Sequence, residues 1–207
     1  MDRKCTNKHL RKVLQRSNKI SPRGKFIWDS QLVDIRWRKA WLCPFQFCLS
    51  NKIREVHFKI LHCIYPCNKS ISRFTDVDEM CTFCEHEPET ILHLFCICPS
   101  SSVFWGDLEK FVYNKTKQYI TIRPKDIISK FECNDKSICF IVNLMILMGK
   151  FHIHKMKFSK SLPNFRIFIN ELYFYIDTLR VMTNKKSEHT LLCLNNSFSL
   201  TPNQEVP

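Results

Sequence analysis

The feature that most constrains this chain is a group of three cysteines and one histidine within residues 80–99. Cys81 and Cys84 are separated by two residues, His93 follows after eight more, and Cys98 follows after a further four. The spacing C-x2-C-x8-H-x4-C supplies three thiolates and one imidazole, which is the donor set of a closed tetrahedral zinc site. A structural site of this kind contributes to folding and leaves no coordination position for a substrate. The sequence therefore predicts one structural zinc ion.

The segment that follows the C-x2-C pair predicts how the last two ligands are presented. Pro88 and Glu89 are typical of a helix start, because proline presets the backbone and acidic residues are favoured in the first turn. A helix from about Glu89 carries His93, and Pro99 disfavours its continuation beyond Cys98.

Two alternatives concern the ligand set. Cysteine is one of the most frequently buried residues, so four such residues can also meet by chance in a core. Cys96 lies two residues before Cys98, and on a helix these two side chains point in different directions, which favours Cys98 as the ligand and Cys96 as a packing residue. A second metal site is a weaker alternative, because its candidates include no C-x2-C pair: these are Cys43, Cys48, Cys63 and Cys67.

The run CTFCEHEPETILHLFCICPSSSVFW resembles the zinc-binding module at the C-terminal end of LINE-type (non-LTR) retrotransposon reverse transcriptases. In that family a C-x2-C pair, Glu-Thr, His-Leu-Phe, a cysteine and Phe-Trp recur in this order. Here they fall on Cys81 and Cys84, Glu89-Thr90, His93-Leu94-Phe95, Cys98, and Phe104-Trp105. The flanking stretches RWRKAWLCPFQFCLSNKIREVHFKILHCIYP and LMILMGKFHIHKMKFSKSLPNF resemble the segments around the module in fish elements, so the likeness covers about residues 24 to 182.

This resemblance implies an accessory module that binds nucleic acid and belongs to a longer reverse transcriptase polyprotein. The polymerase centre of that family uses aspartates in a Tyr-x-Asp-Asp motif, which this sequence lacks, and the family's endonuclease is also missing. Phosphate-binding glycine loops and nucleophile elbows are absent as well. We therefore expect a protein without a catalytic centre, not an enzyme.

The fold class follows from glycine content and periodicity. Only 3 of 207 residues are glycine, against about 7% on average, and apolar residues recur at helical spacing. We predict a mainly α protein: a disordered basic arm (1–25), a helical domain (26–182) containing the zinc module (76–114), and a disordered tail (183–207). The apolar run at 138–151 predicts a central buried helix, because it is too short for a membrane span of about 20 residues. One apolar face is predicted after residue 164, formed by Phe165, Phe168, Ile169, Leu172, Ile176 and Leu179.

The charge of the chain favours a polyanionic partner. Lysine and arginine number 32 against 19 acidic residues, a formal net charge of +13, and nine basic residues lie in the first 25. We predict binding to RNA or DNA through phosphates, largely independent of sequence, and no membrane association. Trp105 is predicted to cover the apolar side of the zinc module in preference to stacking on a base. The predicted phosphate contacts are Arg36, Arg38, Lys39, Lys150, Lys155 and Lys157.

Twelve cysteines without an apolar export segment predict a reducing, intracellular location, in the nucleus or the cytoplasm. Two other functions stay open at this point. One is a zinc-stabilised module for protein interaction, whose basic charge aids solubility. The other is an inert, transposon-derived fragment.

Overall fold

The structure is a computed structural model that describes residues 21–198. Within that range the chain is mainly α, as predicted, and its strand-like pairing is limited to one bridge between Met80 and Pro88. The α-helices, numbered α1 to α9 in chain order, are Arg23–Gln31, Trp37–Leu42, Asn51–Leu61, Asn68–Ile71, Pro99–Thr116, Pro124–Ile128, Lys136–Phe158, Phe165–Val181 and Lys185–Phe198. A 3-10 helix spans Cys43–Gln46 and a π-helix spans His93–Ile97.

The long apolar helix α7 lies at the centre of the fold. Its first turn is capped by Asp135, whose carboxylate accepts hydrogen bonds from the backbone amides of Ser137 (2.8 Å) and Ile138 (3.0 Å). Helices α3, α8 and α9 pack against it, and α5 and α6 contact it less extensively. Among the described residues, only α7 has the length and composition of a membrane span, but 72% of its apolar window is buried inside the protein. It is thus packed as a buried central helix, as predicted.

Helix α8 buries the apolar face that periodicity predicts. Asn164 caps it by accepting a hydrogen bond from the amide of Ile167 at 3.1 Å. Phe168, Ile169 and Leu172 are fully buried against the core. The boundaries of this helix follow from its cap and its 3–4 spacing.

The predicted disordered tail is wrong for residues 185–198, which form helix α9. Asn184 accepts hydrogen bonds from the amide of Ser187 at the start of this helix (3.1 Å), and Cys193, Leu194 and Phe198 are buried against the core. The apolar residues of α9 are too few and too close together to show a helical period, so the sequence does not predict this helix. Residues 199–207 lie outside the described residues.

The start of the helical domain also needs a small correction, from residue 26 to Arg23. Helix α1 begins there, and Trp28 is buried with its indole N–H donating to the carbonyl of Ile60 at 3.1 Å. Gly24 is a packing residue, because a Cβ there would lie 2.2 Å from the carbonyl oxygen of Leu61. Residues 1–20 of the predicted basic arm lie outside the described residues.

Candidate metal centre

Cys81 and Cys84 are presented by a tight turn within residues 79–89. The amide of Cys81 donates to the carbonyl of Glu87 (2.8 Å), and the amide of Glu85 donates to the carbonyl of Cys81 (2.9 Å). Glu85 takes a left-handed conformation, with φ 57°. This reversal brings the two sulfurs of the C-x2-C pair to the same side of the turn, as the spacing predicts.

The other two ligands are presented by the π-helix His93–Ile97. The amide of Cys98 donates to the carbonyl of His93 at 2.8 Å, a five-residue step, and the amide of His93 donates to the hydroxyl of Thr90 at 3.0 Å. A π-turn is wider than an α-turn and is frequent at functional sites. It replaces the regular helix predicted here, and Pro99 begins α5 immediately after the last ligand.

The four predicted ligand side chains converge on one point. Their donor atoms all lie within 4.8 Å of one another. The sulfurs of Cys81 and Cys98 are 3.8 Å apart, and the sulfur of Cys84 is 3.3 Å from Nε2 of His93. Cys81 and Cys98 are buried, and His93 is 9% exposed. Within residues 21–198 this is the one group of three or more His, Cys, Asp or Glu side chains with such an arrangement, and it can hold a metal ion.

Hydrogen bonds shift the pKa values of two of the sulfurs in opposite directions. A hydrogen bond shared with Cys81 lowers the pKa of Cys98 to about 7 and raises the pKa of Cys81, and the amides of Ser100 and Ser101 further favour the Cys98 thiolate. The amide of Phe83 lies 3.5 Å from the sulfur of Cys81. This hydrogen bond therefore favours a thiolate at Cys98 and a thiol at Cys81, and coordination of a metal ion would require the loss of the Cys81 proton.

The other cysteines within residues 21–198 do not join this cluster. Cys96 is buried with its sulfur 4.0 Å from the carbonyl of Pro124, so it packs, as predicted. The alternative second site does not form in the described residues: the thiol of Cys43 faces the amide oxygen of Asn143 (3.8 Å).

Glu89, which the sequence indicates only as a helix-start and motif residue, forms a buried ion pair at this site that the sequence does not predict. It is fully buried and forms an ion pair with Lys157, and it also accepts hydrogen bonds from the amides of Asn68 (2.9 Å) and Thr82 (3.0 Å). Burial raises the pKa of Glu89, but these hydrogen bonds, led by that from Lys157, outweigh burial and lower it. Glu89 thus connects the cysteine turn to α4 and to the core helix α7. Its partner lies 68 residues away in sequence, so no local pattern indicates the contact.

Trp105 joins the segment that carries the Cys3His cluster to the core from the other side. It is 3% exposed, and its indole N–H donates to the carbonyl of Phe95 at 2.7 Å. Its ring packs against Gly149 of α7, where a Cβ would lie 2.8 Å from the ring edge. The prediction that Trp105 covers the module is confirmed.

Two of the predicted phosphate contacts are wrong. Lys150 is 1% exposed and donates to the carbonyl of Ile127 (2.8 Å) and to Nδ1 of His57 (2.7 Å), and burial lowers its pKa to about 7. Lys157 is 6% exposed and pairs with Glu89. Residues seven apart share one side of a helix, and in α7 this side faces the interior.

The other four predicted contacts are accessible. Arg36 and Lys39 both pair with Glu132 (3.1 and 2.6 Å). Lys155 is partly exposed and pairs with Glu171, and Arg38 is exposed. The accessible basic side chains therefore lie on surfaces other than the side of α7 that faces the core.

Comparisons with known proteins identify no relative of this chain. No protein-family model, no curated protein and no solved structure matches the chain. The fold and the cluster define a helical protein with a Cys3His group able to bind a metal ion.

Proposed function

We propose that the cluster binds one structural zinc ion. Tetrahedral Zn–S bonds of about 2.3 Å place two sulfurs about 3.8 Å apart, and a Zn–N bond of about 2.0 Å places sulfur and nitrogen about 3.5 Å apart. The Cys81–Cys98 distance of 3.8 Å and the Cys84–His93 distance of 3.3 Å support this coordination. Four protein ligands leave no position for substrate, so the ion would join the cysteine turn to the π-helix and contribute to folding.

We further propose that the chain is a nucleic-acid-binding accessory module of a LINE-type reverse transcriptase, without a catalytic centre of its own. The observation that carries this proposal is the convergence of Cys81, Cys84, His93 and Cys98, the four positions at which the sequence resembles the ligands of that family. The net charge of +13 supports a phosphate-rich partner. RNA or DNA would be held by exposed basic side chains, largely without reading its sequence.

A salt series tests this function. The zinc-loaded protein is titrated against single-stranded RNA, duplex DNA and heparin by fluorescence anisotropy at 50 to 200 mM salt. Four phosphate contacts on a single strand predict a slope of about −2.8 in log K against log salt, which is about 50-fold over this range. An affinity that does not change with salt would contradict nucleic-acid binding.

One observation favours a second function, the protein-interaction module. A largely apolar groove of about 730 Å3 lies between α3, α7 and α8, and Phe174 and Ile167 on its α8 side are 76% and 46% exposed. Such a groove suits the apolar face of an amphipathic helix from another protein. This function predicts an association that is insensitive to salt and is lost in Phe174→Asp, with no nucleic-acid binding in the salt series.

A further inference from the structure

A second concave surface, here called the basic groove, lies on a different part of the fold. It consists of two adjoining cavities of about 320 and 370 Å3, which share Arg36, Lys130, Glu132 and Cys133. Segments that are distant in sequence form it: the start of α2, residues 119–126 and residues 129–134. Its basic residues are Arg36, Lys39, Arg123, Lys125 and Lys130.

The five cations of the basic groove face three acids, and two of these acids are already engaged. Glu132 is paired with two of the cations. Asp126 is 7% exposed, and its carboxylate accepts a hydrogen bond from the amide of Arg123 at 3.0 Å. The third acid, Asp34, lies at one edge. Three cations form no ion pair within residues 21–198, and they leave the groove with an excess of positive charge: Arg123, Lys125 and Lys130.

An aromatic platform lies at one end of the basic groove. Tyr119 lines the groove and is 84% exposed. Its ring stacks on Tyr113 with centroids 4.2 Å apart and planes 24° apart, and the ammonium of Lys117 lies 5.9 Å from the centre of the Tyr113 ring. Tyr119 thus has one face supported by protein, and most of its surface is open to solvent. Such a ring suits a base, because aromatic side chains stack on bases of any sequence.

We propose that the basic groove binds a single-stranded segment of nucleic acid. Phosphates would lie along Arg123, Lys125 and Lys130, and one base would stack on Tyr119. This inference rests on the proposed nucleic-acid function and names its site and its ligand class. Both cavities fall within the size of sites that enclose a ligand, about 300–1,000 Å3, and an unstacked base is available in a single strand but not in a duplex.

Two triple variants test the site with the same change of net charge. The groove variant is R123E/K125E/K130E, and the control variant K52E/R166E/K185E reverses three exposed cations outside the groove. Each lowers the formal charge from +13 to +7, since each replacement removes one positive and adds one negative charge. For a single-stranded RNA 15-mer and the matching DNA, we expect the groove variant to lose about 2 units of salt slope. The control variant should keep the wild-type slope.

Tyr119 supplies an independent test that does not change charge. Because it is so exposed, Tyr119→Ala should leave the unfolding midpoint unchanged. Its affinity for the single strand should fall by about 5- to 150-fold, which corresponds to the loss of one stacked base. Tyr119→Phe keeps the ring and should bind like wild type, and binding of a duplex of equal length should be the same in all three proteins.

The outcomes separate the two proposals. Wild-type protein without salt-dependent binding to any nucleic acid refutes the proposed function, and the groove inference with it. Wild-type binding that both triple variants weaken equally, or that Tyr119→Ala leaves intact, keeps the function and overturns the groove. A stronger affinity for duplex than for single strand also overturns it.

Discussion

Replacement of Glu89 by glutamine tests how the segment that carries the Cys3His cluster is held to the core. In Glu89→Gln the side chain keeps its shape but loses its charge, and the ammonium of Lys157 stays buried without a counter-ion. The new amide group also faces groups that can only donate on both of its sides: the backbone amide of Thr82 (3.0 Å) on one side, and the backbone amide of Asn68 (2.9 Å) with the ammonium of Lys157 on the other. At least one N–H therefore meets another donor whichever way the amide is oriented.

The expected loss follows from this burial. Removing one partner of a buried ion pair costs about 3–5 kcal/mol, because the other charge stays uncompensated. Lys157 keeps the carbonyl of Pro66 (2.9 Å) and the side-chain oxygen of Asn68 (3.0 Å) as acceptors, which favours the lower end, about 3 kcal/mol. This is a large share of the total stability of a domain, about 5–15 kcal/mol.

The assay is urea unfolding of the zinc-loaded protein, followed by tryptophan fluorescence and far-UV circular dichroism. The matched control is Glu55→Gln, which breaks an exposed pair with Lys59 (2.7 Å) and should leave the free energy of unfolding almost unchanged, because solvent screens such a pair. The double variant Glu89→Gln/Lys157→Met should be more stable than Glu89→Gln alone, since it no longer buries a lone charge. A loss in Glu89→Gln no greater than in Glu55→Gln would refute the reasoning.

Three further predictions concern single positions. Gly149→Ala should destabilise the protein by about 1–3 kcal/mol, because the added Cβ would overlap the ring of Trp105. Gly106→Ala should stabilise it by about 0.5–1 kcal/mol, because the added Cβ would have no atom within 4 Å. Thermal unfolding of both variants compares them directly. Glu85→Gly should raise the unfolding midpoint of the zinc-loaded protein by relieving part of a left-handed strain worth about 1–2 kcal/mol, and an unchanged or lower midpoint would argue against that strain. The pKa of Glu89 is lower in the folded protein than in the unfolded chain, where it is about 4.3, so ionised Glu89 stabilises the fold at pH values above this value. This contribution is lost as pH falls through the pKa of the folded state. The stability difference between wild type and Glu89→Gln, measured from pH 7 to 3, should therefore shrink below about pH 4.

Local patterns predict the parts of the fold that depend on neighbours in sequence. The ligand set follows from the spacing of Cys81, Cys84, His93 and Cys98, because two short segments present all four. The core helix α7 and the apolar face of α8 follow from their composition and period. The choice of Cys98 over Cys96 follows from spacing in the same way, and the geometry agrees with it.

The errors concern properties that depend on distant partners. Lys150 and Lys157 were predicted as phosphate contacts from their charge, but the carbonyl of Ile127 and the carboxylate of Glu89 allow both to be buried. The sequence does not predict helix α9, because its few apolar residues show no helical period and packing on α7 and α8 stabilises the helix. The π-helix was missed because its sequence pattern is that of an ordinary helix.

X-ray absorption at the zinc edge tests the central claim most directly. Protein purified with one equivalent of zinc should show three sulfur neighbours at about 2.3 Å and one nitrogen neighbour at about 2.0 Å. Replacing Cys84 by alanine should remove one sulfur from this shell or abolish binding, and replacing Cys96 by alanine should leave the shell unchanged. A first shell of oxygen atoms only, or a sulfur count that Cys84→Ala does not alter, would contradict a zinc ion held by Cys81, Cys84, His93 and Cys98.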